Sequence, residues 1–267
     1  MIDFLKNVIV MTSMDVEHNA LLAGQAVDQK VLSQTHNIYV HICERSGVRV
    51  RILKSGVGSV NAAITLAIAL ESESADAVVL LGVGGALVPE LNIGDLVIAE
   101  AVIQHDSIFT SEESAILMSP GELYLTRETK NEFSDPVIKA DPELVSHFVN
   151  ALEHSNAEGR VFRGYMASGS EFVACADRKK KVSQLAKQAL IVDMEAAAVA
   201  QICRKQRISF VIAKTVADRL YPDGSIASDY QACVETAAKR AGRVLELICK
   251  HSMENRTSKC SEFQNYT

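Results

Sequence analysis

The chain has 267 residues, 48% of them apolar, and a formal net charge of −6. That is enough apolar material for one large α/β domain or two small ones. The acidic balance argues against nucleic acid as the main partner, and Asp, Glu, Ser or Gly interrupts every apolar run before it reaches membrane-spanning length. The opening MIDFLKNVIVMTSMDVEH carries no signal-like cleavage region, so a cytoplasmic location is expected.

In chain order, VIVMTSM (8–14) reads as a buried strand, followed by a helix from near Asp15. IYVHICER (38–45) and VRVRILKS (48–55) alternate as strands around Ser46-Gly47, a hairpin signal. In SGVGSVNAAITLAIAL, Ser59 is a candidate helix cap, and Val60, Ile64, Ala67 and Leu70 lie near helical spacing. AVVLLGV (77–83) and GDLVIAEAVIQHD (94–106) are further strands, the first ending in glycine as a covered central strand does. Residues 107–139, with several Ser, Glu and Pro, read as a long loop. Then follow a helix (142–155), a strand (160–168), a helix (178–189), the IVDM strand and an alanine-rich helix. The strand FVIAKTVA (210–217), a helix (229–250) and a polar tail complete the chain. Strand–helix alternation of this kind predicts one α/β domain over residues 1–252, with 253–267 outside it.

Six cysteines lack C-x-x-C spacing and read as reduced, mostly buried thiols. The seven histidines form no ligand pattern, so no metal is expected.

Residues 191–203, IVDMEAAAVAQIC, place Asp193 and Glu195 at the end of a strand and ahead of a helix of small residues. Helix chemistry accounts for them locally: Asp193 caps, and Glu195 suits the positive end of the macrodipole. Ligands, however, collect at the carboxyl ends of strands in open α/β sheets. Glu17, Gly82–Gly85, Phe172, Met194–Glu195 and Asp218 all fall at such ends. Each has a plain alternative: Glu17 as a first-turn helix residue, Asp218 as a cap, Phe172 as core, and the glycines as a tight turn. The basic run Arg178–Lys181 reads as a solvated helix face.

SMDVEHNALL (13–22), LKSGVGSVNAA (53–63), GVGGALVPELNIGDLVIAE (82–100) with Gln104-His105-Asp106, SGSEFV (168–173), VDMEAAAVAQIC (192–203) and AKTVADRL (213–220) occur in one order. In that order they resemble the nucleoside phosphorylase/nucleosidase superfamily, and within it the 5′-methylthioadenosine/S-adenosylhomocysteine nucleosidases. The resemblance implies a three-layer α/β/α sandwich with a central mixed, partly barrel-like sheet. It also implies hydrolysis of the N-glycosidic bond between adenine and a 5′-thio-substituted ribose, without a cofactor, by a homodimer acting on a small nucleoside.

Cleavage through an oxocarbenium-like sugar needs a base for water and an acid for the leaving group. By resemblance, Glu17 is that base and Asp218 the acid that protonates adenine N7. Glu195 binds the ribose hydroxyls and Met194 packs on the sugar. Phe172 stacks on adenine, and the backbone of Val173 reads the base edge. Val57, Val83, Gly84 and Asp193 complete the substrate contacts, with Tyr230 as the aromatic that closes the pocket.

The chain departs from the nucleosidase pattern where Val83 and Ala217 replace serines and Lys214 replaces an arginine. The rival readings are a phosphorylase and a catalytically silent nucleoside-binding protein. Phosphate needs fixed cations, preferably arginine. This chain has Leu80 where phosphorylases of the superfamily carry arginine, and no arginine precedes Arg45. Retention of both Glu17 and Asp218 argues against a silent binder.

Overall fold

Parallel pairing of buried apolar runs builds the centre of the molecule. A computed structural model describes residues 5–23, 26–45, 47–112, 114–120, 135–153, 159–221, 225 and 234–235. In it, β1 (Asn7–Thr12) lies between β4 (Val48–Lys54) and β5 (Ala77–Ala86), parallel to both. β12 (Ser209–Asp218) runs parallel to β5 on its other side. Ile9, Val10, Met11, Val78, Leu80, Leu81, Val211 and Ile212 are all buried in this centre. Each such side chain contributes roughly 1.5–3 kcal/mol on leaving water, so these strands read as continuous apolar runs.

The sheet continues from β12 through β6 (Leu96–Gln104) and β10 (Val161–Ser168) to β11 (Ala189–Asp193). β11 then pairs antiparallel with β5 through Ile191↔Ala86 and Val192↔Gly85. The strands β5, β12, β6, β10 and β11 therefore close on themselves, giving the mixed, partly barrel-like sheet that was expected. At the other end β3 (Ile38–Arg45) pairs with β4, and β2 (Asp28–Ser33) with β3. The expected hairpin closes at Arg45↔Val48.

Among the described residues, five helices frame the sheet: α1 (Asp15–Leu22), α2 (Ser59–Ser72), α3 (Pro142–Glu153), α4 (Ala176–Leu185) and α5 (Ala196–Gln206). α2 packs on α5, and α3 on β6, β12 and β10. Buried Arg51 closes the carboxyl end of α2, donating to Ala69 O (3.0 Å), Glu73 O (2.8 Å) and Ser74 O (2.9 Å). Ala69 O also accepts from Glu73 N (3.3 Å), and the carbonyls of Glu73 and Ser74 lie past the last helical residue, so the cation satisfies acceptors at the end of the helix.

Four local expectations change. Gly58, not Ser59, is the backbone cap of α2. β2 has no counterpart in the sequence reading, because its DQKVLS pattern is largely exposed and does not alternate. The stretch 107–139 contains β7 (Ile108–Thr110) and β8 (Ala115–Leu117), a small hairpin, and β9 (Val137–Lys139), which adds to β6. Of the thiols, Cys43 and Cys203 are buried but Cys175 is exposed. Val234 and Glu235 are helical, whereas the rest of the helix expected over 229–250, Tyr230 included, and the tail 253–267 lie outside the described residues.

His18, on α1, is buried with Nε2 3.2 Å from His41 Nδ1 on β3. Burial, with His41 beside it, pushes His18 from 6.5 down to about 4. Between these values the unfolded chain binds a proton that the native state refuses, so stability falls as pH falls through that window. Melting temperature measured from pH 7 to pH 4 should therefore drop less steeply for His18→Gln than for the wild type. Equal slopes would remove His18 from the acid sensitivity.

Candidate active site

The carboxyl ends of β1, β5, β11 and β12 meet at a cavity of about 240 Å³. Its wall includes Ser13 and Met14 after β1, Val57 before α2, and Val83, Gly84 and Gly85 on β5. Phe172 and Val173 follow β10, Asp193, Met194 and Glu195 follow β11, and Asp218 ends β12. Of the catalytic and substrate-contact residues assigned by resemblance, two are not on this wall. Tyr230 is outside the described residues, and Glu17 lies behind the wall with no exposure.

Glu17 is held from both sides. Its Oε2 accepts from Ser13 N (2.9 Å), Ser13 Oγ (3.0 Å) and Met14 N (2.8 Å). Its Oε1 accepts from Val83 N (2.9 Å) on β5. The contact with Met14 N is the capping-box geometry of a helix start, so Glu17 does stand in the first turn of α1, but buried and not as the surface residue that the local reading expected. The Val83 contact makes the same carboxylate a bridge between β1 and β5. Gly82 permits it, because a Cβ there would sit 2.7 Å from Glu17 Oε1.

The opening of α5 divides its two acids. Asp193 caps the helix, accepting from Ala196 N through both oxygens (3.2 and 3.1 Å). Glu195 is the backbone N-cap, yet its side chain makes no cap bond. It turns instead to Gly58 N (2.9 Å) and Lys214 Nζ (3.0 Å). Gly58 has φ +101°, a conformation that L side chains rarely adopt, and this aims its N–H at Glu195.

Lys214, fully buried on β12, lies 2.9 Å from Asp193 and 3.0 Å from Glu195. Burial works against its charge, but Asp193, Glu195 and Glu17 outweigh it and hold the ammonium above the ordinary lysine range. Burial raises Glu195 from its ordinary value, Lys214 pulls it down, and Asp193 adds to the rise.

Asp218 reaches the wall through a register shift between Val216 and Asp218 that sets it opposite Gly85. Bulges of this kind re-aim side chains beside functional sites. The carboxylate is bonded to Nζ of Lys179 on α4, which has no exposure. An ammonium thus faces the carboxylate of Asp218. Lys179 also corrects the reading of the basic run as wholly solvated. Lys180 and Lys181 are exposed, but Lys179 shares the buried face of α4 with Val182. That i, i+3 pairing of a lysine with a valine was the signal available in the sequence. Ser13, Glu171 and Val192 are further wall residues that carried no separate local signal.

Asp106 orients the segment bearing Phe172, accepting from Ser170 N (2.7 Å) and Gln104 Nε2 (2.9 Å). Phe172 is 57% exposed at the mouth of the cavity. Arg178 grips Glu171 at the same rim, with Nε 2.8 and 2.7 Å from its two oxygens.

The family model of the Phosphorylase superfamily matches residues 7–250. The chain is similar to the 5′-methylthioadenosine/S-adenosylhomocysteine nucleosidase of Staphylococcus epidermidis, 28% identical over 235 residues, covering 87% of this chain and 94% of that protein. It is 32% identical over 184 residues to the nucleosidase of the same description from Bacillus cytotoxicus, covering 68% and 74%. Among solved structures, the Campylobacter jejuni 5′-methylthioadenosine/S-adenosylhomocysteine nucleosidase superposes with a TM-score of 0.77 at 23% identity. That superposition covers 94% of this chain and 99% of the other, a likeness of fold.

Removing the ammonium at position 214 leaves two buried carboxylates without their cation. Breaking a buried pair this way typically destabilises by about 3–5 kcal/mol. Lys214→Met should show that loss in urea unfolding, and a midpoint equal to the wild type would mean that Asp193 and Glu195 are satisfied without it.

Proposed function

Because the chain belongs to the phosphorylase superfamily, we propose that it is the hydrolytic kind of member, a nucleosidase that releases adenine from 5′-methylthioadenosine and S-adenosylhomocysteine. One observation carries the choice of water over phosphate. Among the described residues, no arginine or lysine lines the cavity, and its charged wall residues are Glu171, Asp193, Glu195 and Asp218. A phosphate dianion would meet four carboxylates on the wall, while Arg178, Lys179 and Lys214 lie off it and are already paired with them. Leu80, where a phosphorylase arginine would stand, is buried in β5.

In this reading Asp218 gives a proton to N7 of the base as the C1′–N9 bond breaks, and the bonding pair stays on adenine. Water adds to C1′ and its proton goes to Glu17. Since Glu17 is behind the wall, that proton travels through Ser13, which lines the cavity and whose hydroxyl already donates to Glu17 Oε2. Glu195 exchanges its contacts with Gly58 and Lys214 for the vicinal ribose hydroxyls, to which a carboxylate is a stronger acceptor than a neutral group. Met194 packs on the sugar. Phe172 stacks on adenine beside Val173, while Val57, Val83, Gly84 and Asp193 complete the wall and Tyr230 closes it.

The same reading makes the protein a cytoplasmic homodimer. Val57, Val60 and Ile64, at and before the start of α2, are exposed. Ser59 Oγ lies 3.1 Å from Ser170 Oγ, so the start of α2 neighbours the segment that bears the exposed Phe172. A second copy seated there would cover the mouth of the cavity.

Incubation with methylthioadenosine, with and without phosphate, should give adenine and free methylthioribose at equal rates. A sugar 1-phosphate or an absolute need for phosphate would make the protein a phosphorylase. Folded Glu17→Gln should lose at least ~10²-fold in turnover, the usual scale for loss of general acid–base catalysis; near-normal turnover would return Glu17 to a helix-capping role alone. Val60→Glu should shift sedimentation from dimer to monomer, and a wild type that sediments as a fully active monomer would sink the dimer.

A further inference from the structure

α4 delivers a buried ammonium to the far end of the cavity from Lys214. Lys179 Nζ donates to Asp218 Oδ1 and, at 2.9 Å, to Ala86 O at the end of β5. We infer that Lys179 is a positioning residue for Asp218. It fixes the carboxyl group across Gly85 and meets the negative charge left there when the proton passes to the departing base. This rests on the hydrolytic reading above.

The physical grounds are several. Taking an ammonium out of water is unfavourable, and the neighbouring inward position on α4 is filled by Val182, so an apolar side chain would have served packing alone. The ammonium bridges two strands, β12 through Asp218 and β5 through Ala86, where the bulge in β12 leaves Asp218 at a strand end. Among the described residues, no other side chain bonds Asp218. Residue 217, next in the chain, is a buried alanine with no hydroxyl to offer. One residue earlier on α4, Arg178 holds Glu171 at the cavity rim, so consecutive residues of one helix tie down two acids of the wall.

In the step itself, the C1′–N9 bond breaks with its pair on the base, and the proton on Asp218 moves to N7. The carboxylate that remains is already bonded to Lys179, which neither gains nor loses a proton. Water's hydroxide goes to C1′ and its other proton to Glu17.

The test is a double-mutant cycle on adenine release from methylthioadenosine, using Lys179→Met, Asp218→Asn and the pair. If Lys179 acts through Asp218, Lys179→Met should lower kcat by roughly 10²-fold, on the scale of a lost acid catalyst, with KM little changed. Adding it to Asp218→Asn should then change kcat by less than about threefold, because residues that act as a unit are not additive. Effects that multiply, or a folded Lys179→Met with wild-type kcat, would overturn the inference. Where Lys179→Met does not fold, Lys179→Gln goes through the same cycle with the same criteria. A wild type that releases no adenine refutes the nucleosidase reading instead, and this inference falls with it.

Discussion

A single ammonium sits where the carboxyl ends of the central strands converge. Lys214 lies between Asp193 and Glu195, close enough to Glu17 to be influenced by its charge. Those acids come from α1 and from the turn between β11 and α5, so one charge on β12 fixes the relative placement of three other segments. Burying such a set gives up hydration that apolar residues of the same volume would not have needed to give up. Packing alone does not explain it. A set of groups that is costly to bury but well satisfied is explained by what it holds in place, here a carboxylate, Glu195, turned away from its own helix toward the cavity.

Local and tertiary roles of these acids are therefore not alternatives. Asp193 caps α5 and also binds Lys214. Glu17 completes the start of α1 and also receives an N–H from β5. In each case the carboxylate has two oxygens and more acceptor directions than the helix end uses. The remaining ones fasten another element. Glu195 is the exception that exposes the logic: it occupies the N-cap by backbone but leaves the cap bond to Asp193.

This also sets what the sequence could tell. β1, β4, β5 and β12 are apolar enough to be recognised by pattern, and the acids at their ends follow from the topology. The closure of the ring through β11 and β5 is different, since it joins Val192 to Gly85 across more than a hundred residues and leaves no periodic trace. β2 escapes because an exposed edge strand need not alternate. Lys179 escapes because a run of four basic residues conceals which one faces inward, and only its spacing from Val182 distinguishes it.

The departures from the nucleosidase pattern gain meaning once the contacts are known. At position 83 a valine stands in place of serine, leaving only its backbone N–H to Glu17, while Ser13 supplies a hydroxyl to the same carboxylate from the other side. At position 217 an alanine stands in place of serine, and Lys179 reaches Asp218 from α4. In both places the acid is held by a donor from elsewhere in the chain. A carboxylate's position is set by where its donors are, not by which residue carries them. The two donors differ in charge as well as origin: Ser13 gives Glu17 a neutral hydroxyl, whereas Lys179 gives Asp218 a full cation. An ion pair acts over a longer range than a hydroxyl dipole and responds to the charge on its partner, so the two acids sit in electrostatically different surroundings although each is fixed by a donor from elsewhere in the chain.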